Sequence, residues 1–363
     1  MNADALTRRE WLTRGAGAIA VAGAAVVAAR ALYDPLGGDG YESAPAASTP
    51  RNYFESIDFP ASNPRISIAT GPDDQIERMV RAAIGGLDPR AGMSRFIRTG
   101  DVVFLKPNVG FDRPPYLGAT THPEIVRGLI RLCRGAGAQR VLVADHPIEA
   151  PAACFARSGI QRVADEEGAV ILPAAPGNFE TVAVRAHRPD AHRGEVLGSW
   201  PLFIRPLTEA TKVIGVAPIK DHNLAGGSMN LKNWYGLLGG TRNRLHQAIH
   251  ATISDLALLI SPTLVIGDAT RVMMSNGPTG GRISDLRPGG ELGRSAVIAS
   301  VDPVACDAWC YEKLLGRDPS ALRYLALAQA KIGAQIATGV KRFGERDWRI
   351  YERQGQVVFT SVV

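Results

Sequence analysis

Runs of consecutive apolar residues, each stopped by a charge, set the rhythm of this sequence. VVFLK ends at Lys106, VLVAD at Asp145, VIGVAPIK at Lys220, LVIGD at Asp268 and VIASVD at Asp302. Short runs without polar alternation predict strands covered on both faces. RISIAT adds a further strand near residue 66. Between the strands lie helical patterns: DQIERMVRAAIGGL, THPEIVRGLIRLCRGAG, HQAIHATISDLALLI and PVACDAWCYEKLLG. The second has the signs of a start and a stop, with a capping box at Thr121 and Glu124, an early proline and a closing glycine. This alternation predicts an α/β fold, a mostly parallel sheet with helices on both faces. A small insertion is expected near Pro173 to Pro201. WRIYERQGQVVFT reads as a C-terminal β-hairpin turning near Gln354 and Gly355.

The terminal charges turn the fold expectation into a site expectation. In open parallel sheets, ligands bind beyond the carboxyl ends of the strands. A polar residue at the end of one strand only marks where that strand meets solvent. Five together, with Asn108, His146, His222 and Pro303 just beyond, predict a composite site if the strands run parallel. Lys106, Lys220 and Lys232 would hold a carboxylate or phosphate, with Asn108, Asn233 and His246 also binding the ligand. His222 is the candidate general acid/base because histidine titrates near neutrality, with Lys220 and Asp145 as its catalytic partners. Asp145, Asp268 and Asp302 would orient these groups, and Asp268 and Asp302 would hold a divalent cation if one binds. Gly226-Gly227-Ser228 and NGPTGGR could present backbone N–H groups to an anion. His246 and His250 have metal-compatible spacing, but no Glu follows His246 as a metalloprotease helix requires.

Composition narrows the ligand. The 363 residues carry a formal charge of +6, without a long Lys/Arg block or aromatics interleaved with basic residues. That disfavours nucleic acid and suits an anionic small molecule. No GxSxG, Walker or dinucleotide fingerprint is present. Cys133, Cys154, Cys306 and Cys310 form no CxxC or ferredoxin-type run, so no iron–sulfur cluster is expected. They read as small buried hydrophobes.

The first residues read as an address. Thr7, Arg8, Arg9, Trp11 and Leu12 resemble a twin-arginine signal, with Trp11 where that signal usually has Phe. Gly15 to Ala29 is too short and too weakly apolar for a comfortable span, and Ala29-Arg30-Ala31 offers a cleavage site. The expectation is a signal over 1–31, a linker over 32–64, the α/β domain over 65–333 and a C-terminal extension over 334–363. The protein would be periplasmic or otherwise exported, with the twin-arginine machinery as a partner and no stable membrane span after cleavage.

FLKPNV, GATTHPEIVRGLI, GAGAQRVLVADHP, PIKDHNLAGGSMNLKNWYGLLGG, the His246 helix, DATRVMMSNGPTGG and VIASVDPVACDAW occur in an order that resembles the domain of unknown function 362 family. The resemblance runs from about Ile66 to Gly333. The family's Lys-x-His corresponds to Lys220-Asp221-His222, and its Lys-Asn to Lys232-Asn233. Some relatives carry ferredoxin-type modules, and this sequence has none, which argues against electron transfer. Two functions fit: an exported enzyme acting on an anionic small molecule, or a non-catalytic ligand-binding or cofactor-maturation protein using the same pocket.

Overall fold

The computed structural model describes residues 50–184, 196–337 and 348–363. The export segment, residues 32–49 of the expected linker and part of the insertion lie outside them. The strands are β1 (Ile66–Thr70), β2 (Val102–Lys106), β3 (Arg140–Val143), β4 (Val170–Ile171), β5 (Phe179–Ala183), β6 (Ser199–Phe203), β7 (Lys212–Lys220), β8 (Leu264–Met273), β9 (Leu286–Arg287), β10 (Ala296–Ser300) and β11 (Val357–Ser361). Among the described residues, nine form one sheet in the order β11-β1-β10-β8-β7-β2-β3-β4, with β9 beside β8. The fold is α/β. The block β4-β3-β2-β7-β8 is entirely parallel.

Period-two sorting of side chains explains the unbroken apolar runs. Val213 and Ile219 enter one core, while Ile214 and Val216 enter the other. Phe104 likewise separates from Val103 and Leu105. Helices Ile76–Leu87, Pro123–Gly135 and Ile160–Glu166 cover one face, and helices Ile249–Leu259, Pro303–Lys313 and Arg323–Ala337 cover the other. All nine residues of β7 are buried. At Gly215 a Cβ would approach the Trp234 ring to 2.9 Å, so glycine leaves room for the indole against the strand.

Strand order creates the crevice. From β2 the chain steps outward to β3 and β4, then returns to the other side of β2 as β7 and continues to β8. Consecutive connections therefore diverge at the β2/β7 boundary, where open α/β sheets place their ligands.

Several expectations need correction. β10 runs antiparallel to β8 and β1, so Asp302 lies at the opposite edge of the sheet from Lys106 and Lys220. The C-terminal segment is no hairpin: helix Trp348–Arg353 leads into β11, which pairs in parallel with β1. Burial of Trp348 and Tyr351 against the core makes a helix the better use of that apolar pair. Residues 50–64 pack on the domain, where Tyr53 is buried and its hydroxyl donates to the Leu207 carbonyl at 2.6 Å. The cap of helix Pro123–Gly135 is His122, which accepts from the Glu124 N–H. Thr121 turns away to donate to the Val216 carbonyl at 2.9 Å. His246 sits on a 3-10 turn, Arg242–Ala248, with the α-helix beginning at Ile249. The insertion is the antiparallel pair β5–β6.

Candidate functional site

A cavity of about 190 Å³ opens beyond the carboxyl ends of β2, β3 and β7. Its walls include Lys106, Asn108, Asp145, Lys220, His222, Lys232, Asn233 and His246, eight of the ten residues singled out from the sequence.

The floor is a closed ionic unit. Lys106, 1% exposed, places Nζ 2.7 Å from Asp145 Oδ1, 3.0 Å from Asn233 Oδ1 and 2.9 Å from its neighbour's carbonyl at Pro107. Asp145 also accepts from the Val109 N–H at 2.6 Å and the His146 N–H at 2.9 Å. Asn233 Nδ2 donates to the Lys106 and Val216 carbonyls, tying helix Asn230–Asn233 to the two central strands. Burial draws the Lys106 amine below the usual lysine range, and Asp145 opposes that fall. A Cβ on Gly236 would overlap Asp145 Oδ1 and come 2.9 Å from Lys106 Nζ, so the pair requires glycine there.

The upper wall is basic, and among the described residues no carboxylate forms an ion pair with it. Lys220, 1% exposed, donates to the Ala119 carbonyl at 2.7 Å and lies 5.4 Å over the Phe111 ring. Burial, reinforced by the charge on Lys232, brings its pKa down to about 7. Lys232 lies 5.3 Å over the Tyr235 ring. Among the described residues its ammonium has no hydrogen-bond or carboxylate partner. Burial and the charges on Lys106 and Arg242 bring its pKa to about 8. Arg242 completes the set, donating among the described residues to three carbonyls: His146 at 2.8 Å, Pro147 at 2.7 Å and Leu238 at 3.5 Å. Four basic side chains, Lys106, Lys220, Lys232 and Arg242, thus line the cavity with one carboxylate, Asp145.

Three imidazoles line the same space, each oriented by backbone. His222 Nδ1 accepts the N–H groups of Leu224 and Ala225 at 3.2 and 3.3 Å. Its loop is closed by paired backbone bonds between Lys220 and Ser228 and by Arg317, 2.7 Å from Asp221. Burial and the Lys232 and Lys220 charges hold His222 far below the usual histidine range, so it is neutral throughout the physiological span. His246 Nδ1 is 2.9 Å from the Asn243 carbonyl, and His146 Nδ1 is 2.8 Å from that of Leu238. A carbonyl only accepts, so both Nδ1 atoms carry the hydrogen.

The sequence profile of the family described as domain of unknown function (DUF362) matches residues 103–312, which include every residue lining the cavity. The chain belongs to the DUF362 family. It is also 28% identical over 259 residues to the thylakoid-associated protein sll1697 of Synechocystis sp., covering 68% of this chain and 73% of that one. Among solved structures it is similar to the lactate racemase apoprotein of Thermoanaerobacterium thermosaccharolyticum, at 15% identity and a TM-score of 0.32 over 66% of this chain. A Thermotoga maritima protein gives 10% identity and a TM-score of 0.33 over 73%. The chain spans 55% and 59% of the lengths of those two proteins.

Two candidate residues of this DUF362 protein do not reach the cavity. Asp268 is buried within β8, accepting from the His122 N–H at 2.8 Å and from the Thr270 N–H and hydroxyl at 3.0 and 2.7 Å. It fastens the turn before helix Pro123–Gly135. Asp302 caps helix Pro303–Lys313 through the Val304 and Ala305 N–H groups and accepts the Tyr351 hydroxyl at 2.9 Å. With Asp302 on the opposite edge and the oxygens of both occupied by donors, the paired-aspartate metal site does not form. Among the described residues no three His, Cys, Asp or Glu side chains converge as metal ligands. The four cysteines are free and buried. His250 turns from the cavity to stack on Tyr324. Among the described residues no helix is long and apolar enough to cross a membrane.

Arg242, Phe111 and Tyr235 were not foreseen. Arg242 follows a glycine pair in GGTRNRLHQ, with no apolar run pointing to it. The aromatic partners of the two lysines become visible only once the chain is folded.

Proposed function

We propose that this DUF362 protein is an enzyme that acts on an anionic small molecule held in the β2/β7 cavity. The observation that carries the reading is the uncompensated charge: Asp145 is committed to Lys106, which leaves Lys220, Lys232 and Arg242 without carboxylate partners. Removing cations from water is costly unless an opposite charge arrives, and a bound carboxylate or phosphate supplies it. Lys220 and Lys232 would hold the anion. Neutral His222 would hydrogen-bond to it, in place of the protonated acid/base role that its ordinary pKa suggested. A charged floor, titratable lysines near neutrality and oriented imidazoles exceed what simple anion capture needs, which favours catalysis over a carrier role.

Calorimetric titration with inorganic phosphate and small carboxylates tests the binding. Lys232→Met should weaken the preferred anion by about 10- to 100-fold, the scale of one charged hydrogen bond. Equal affinity in variant and wild type would remove Lys232 from the site. Native mass spectrometry of protein purified before export separates the two roles: an enzyme converts the co-purified anion on incubation, and a carrier returns it unchanged. We also propose that the folded chain is exported by the twin-arginine route, on the strength of Arg8-Arg9 and the short apolar run behind them.

A further inference from the structure

The three imidazoles of the cavity are wired differently, and the difference is chemical. Both bonds to His222 Nδ1 come from backbone N–H donors, so a neutral ring must carry its hydrogen on Nε2. The bond from His246 Nδ1 goes to a carbonyl, so the neutral ring must leave Nε2 as a bare lone pair. Neither Nε2 has a hydrogen-bond partner among the described residues, and both rings line the same cavity.

We infer that His222 and His246 form a matched donor and acceptor: His222 gives a fixed Nε2–H to the ligand, and His246 Nε2 takes a proton from it. The inference rests on the anionic-ligand reading and narrows its ligand to one carrying, beside the anionic group, an acidic C–H or O–H. In the step, the ligand's bond to hydrogen breaks and its electron pair stays on the ligand. The proton bonds to His246 Nε2, and the imidazolium so formed keeps its Nδ1–H on the Asn243 carbonyl. The developing negative charge meets the His222 Nε2–H and the ammonium groups of Lys220 and Lys232, an oxyanion arrangement fixed before the ligand arrives. His222 cannot exchange roles with His246, because a proton on its Nδ1 would face two N–H donors.

Three features favour His246 over His146 as acceptor. The charged and titratable groups facing His222 are Lys232, Lys220 and His246. His146 instead sits beside Arg242, Asp145 and Lys106 at the floor, edge-on to Phe179 with ring centroids 5.1 Å apart. His246 packs against Tyr235, whose ring also carries Lys232, so the acceptor nitrogen and an anion-holding ammonium share one aromatic wall.

Long-range proton–nitrogen spectra of the full chain labelled with ¹⁵N-histidine, assigned with His222→Asn and His246→Asn, read the tautomers directly. His222 should show hydrogen on Nε2 and no titration from pH 5.5 to 8.5, and neutral His246 should show hydrogen on Nδ1. A titrating His222, or a neutral His246 with hydrogen on Nε2, would overturn the pairing. Inorganic phosphate should then move the His222 Nε2–H signal and the ring ¹⁵N signals of His246. Correct tautomers with both rings silent to phosphate would overturn the anionic-ligand reading instead.

Discussion

Lys220 and Lys106 are both buried lysines at the ends of neighbouring strands, yet methionine should act oppositely at the two positions. Lys106 neutralises Asp145, so Lys106→Met leaves a buried carboxylate unpaired, a loss of about 3–5 kcal/mol. Among the described residues Lys220 has no carboxylate at ion-pair distance; it donates to the Ala119 carbonyl and lies over the Phe111 ring. The fall of its pKa from 10.5 to about 7 corresponds to about 5 kcal/mol of disfavoured charge, at roughly 1.4 kcal/mol per pH unit. Lys220→Met removes that penalty and keeps the apolar stem. It leaves the Ala119 carbonyl without its donor, at a cost of about 1–3 kcal/mol, and gives up the contact with the ring. The net expectation at pH 6.5 is a variant more stable than wild type by about 1–3 kcal/mol.

The same burial makes the difference between the two proteins depend on pH. Unfolded Lys220 is protonated below about 10.5 and folded Lys220 only below about 7. Between these values the unfolded chain binds more protons, so wild type gains stability as pH rises. The penalty is complete below about 7 and gone above 10.5. From pH 6.5 to 9.5 wild type should gain about 3 kcal/mol on Lys220→Met, closing or reversing the gap. Urea unfolding of both proteins at the two pH values, in buffer free of multivalent anions, provides the measurement. A variant destabilised by about 3–5 kcal/mol at pH 6.5, as for a broken buried ion pair, would refute the reasoning.

Three further predictions concern phosphate binding, the far edge of the sheet and export. Phosphate affinity should weaken from pH 6.5 to 9, by roughly tenfold per pH unit for each proton taken up by Lys220 or Lys232, and calorimetry in buffers of different ionisation enthalpy should register that uptake; pH-independent binding with no uptake would contradict it. Tyr351→Phe removes the hydroxyl bond to Asp302 and should cost about 1 kcal/mol of stability without altering phosphate binding, whereas weakened binding would contradict the position of Asp302 on the far edge. Replacing Arg8 and Arg9 together by lysine should leave folded precursor in the cytoplasm, and undiminished export would rule out the twin-arginine route.

Much of the fold and most residues of the candidate cavity were legible in the sequence, because burial on both faces forces unbroken apolar runs and a charge ending such a run lies at the sheet edge where open α/β folds bind ligands. That logic brought Lys106, Asp145 and Lys220 to one cavity, along with His222, Lys232 and Asn233 beyond them. It failed for Asp302, because an apolar run has no arrow: VIASVD looks the same whether β10 lies parallel or antiparallel to β8, and the direction comes from which neighbour the whole sheet offers. It failed for the C-terminal segment because WRIYER satisfies a strand locally, while burial of Trp348 and Tyr351 against the core selects a helix. Strand order, which puts the crevice between β2 and β7, is set by packing of distant segments and has no local signature. The same holds for protonation. Lys106 and Lys220 end similar strands, and only the tertiary structure gives one a carboxylate and the other a carbonyl and a ring. His222 carries the near-neutral pKa of any histidine in sequence; burial among lysines, and two backbone N–H groups aimed at one nitrogen, convert it to a neutral donor.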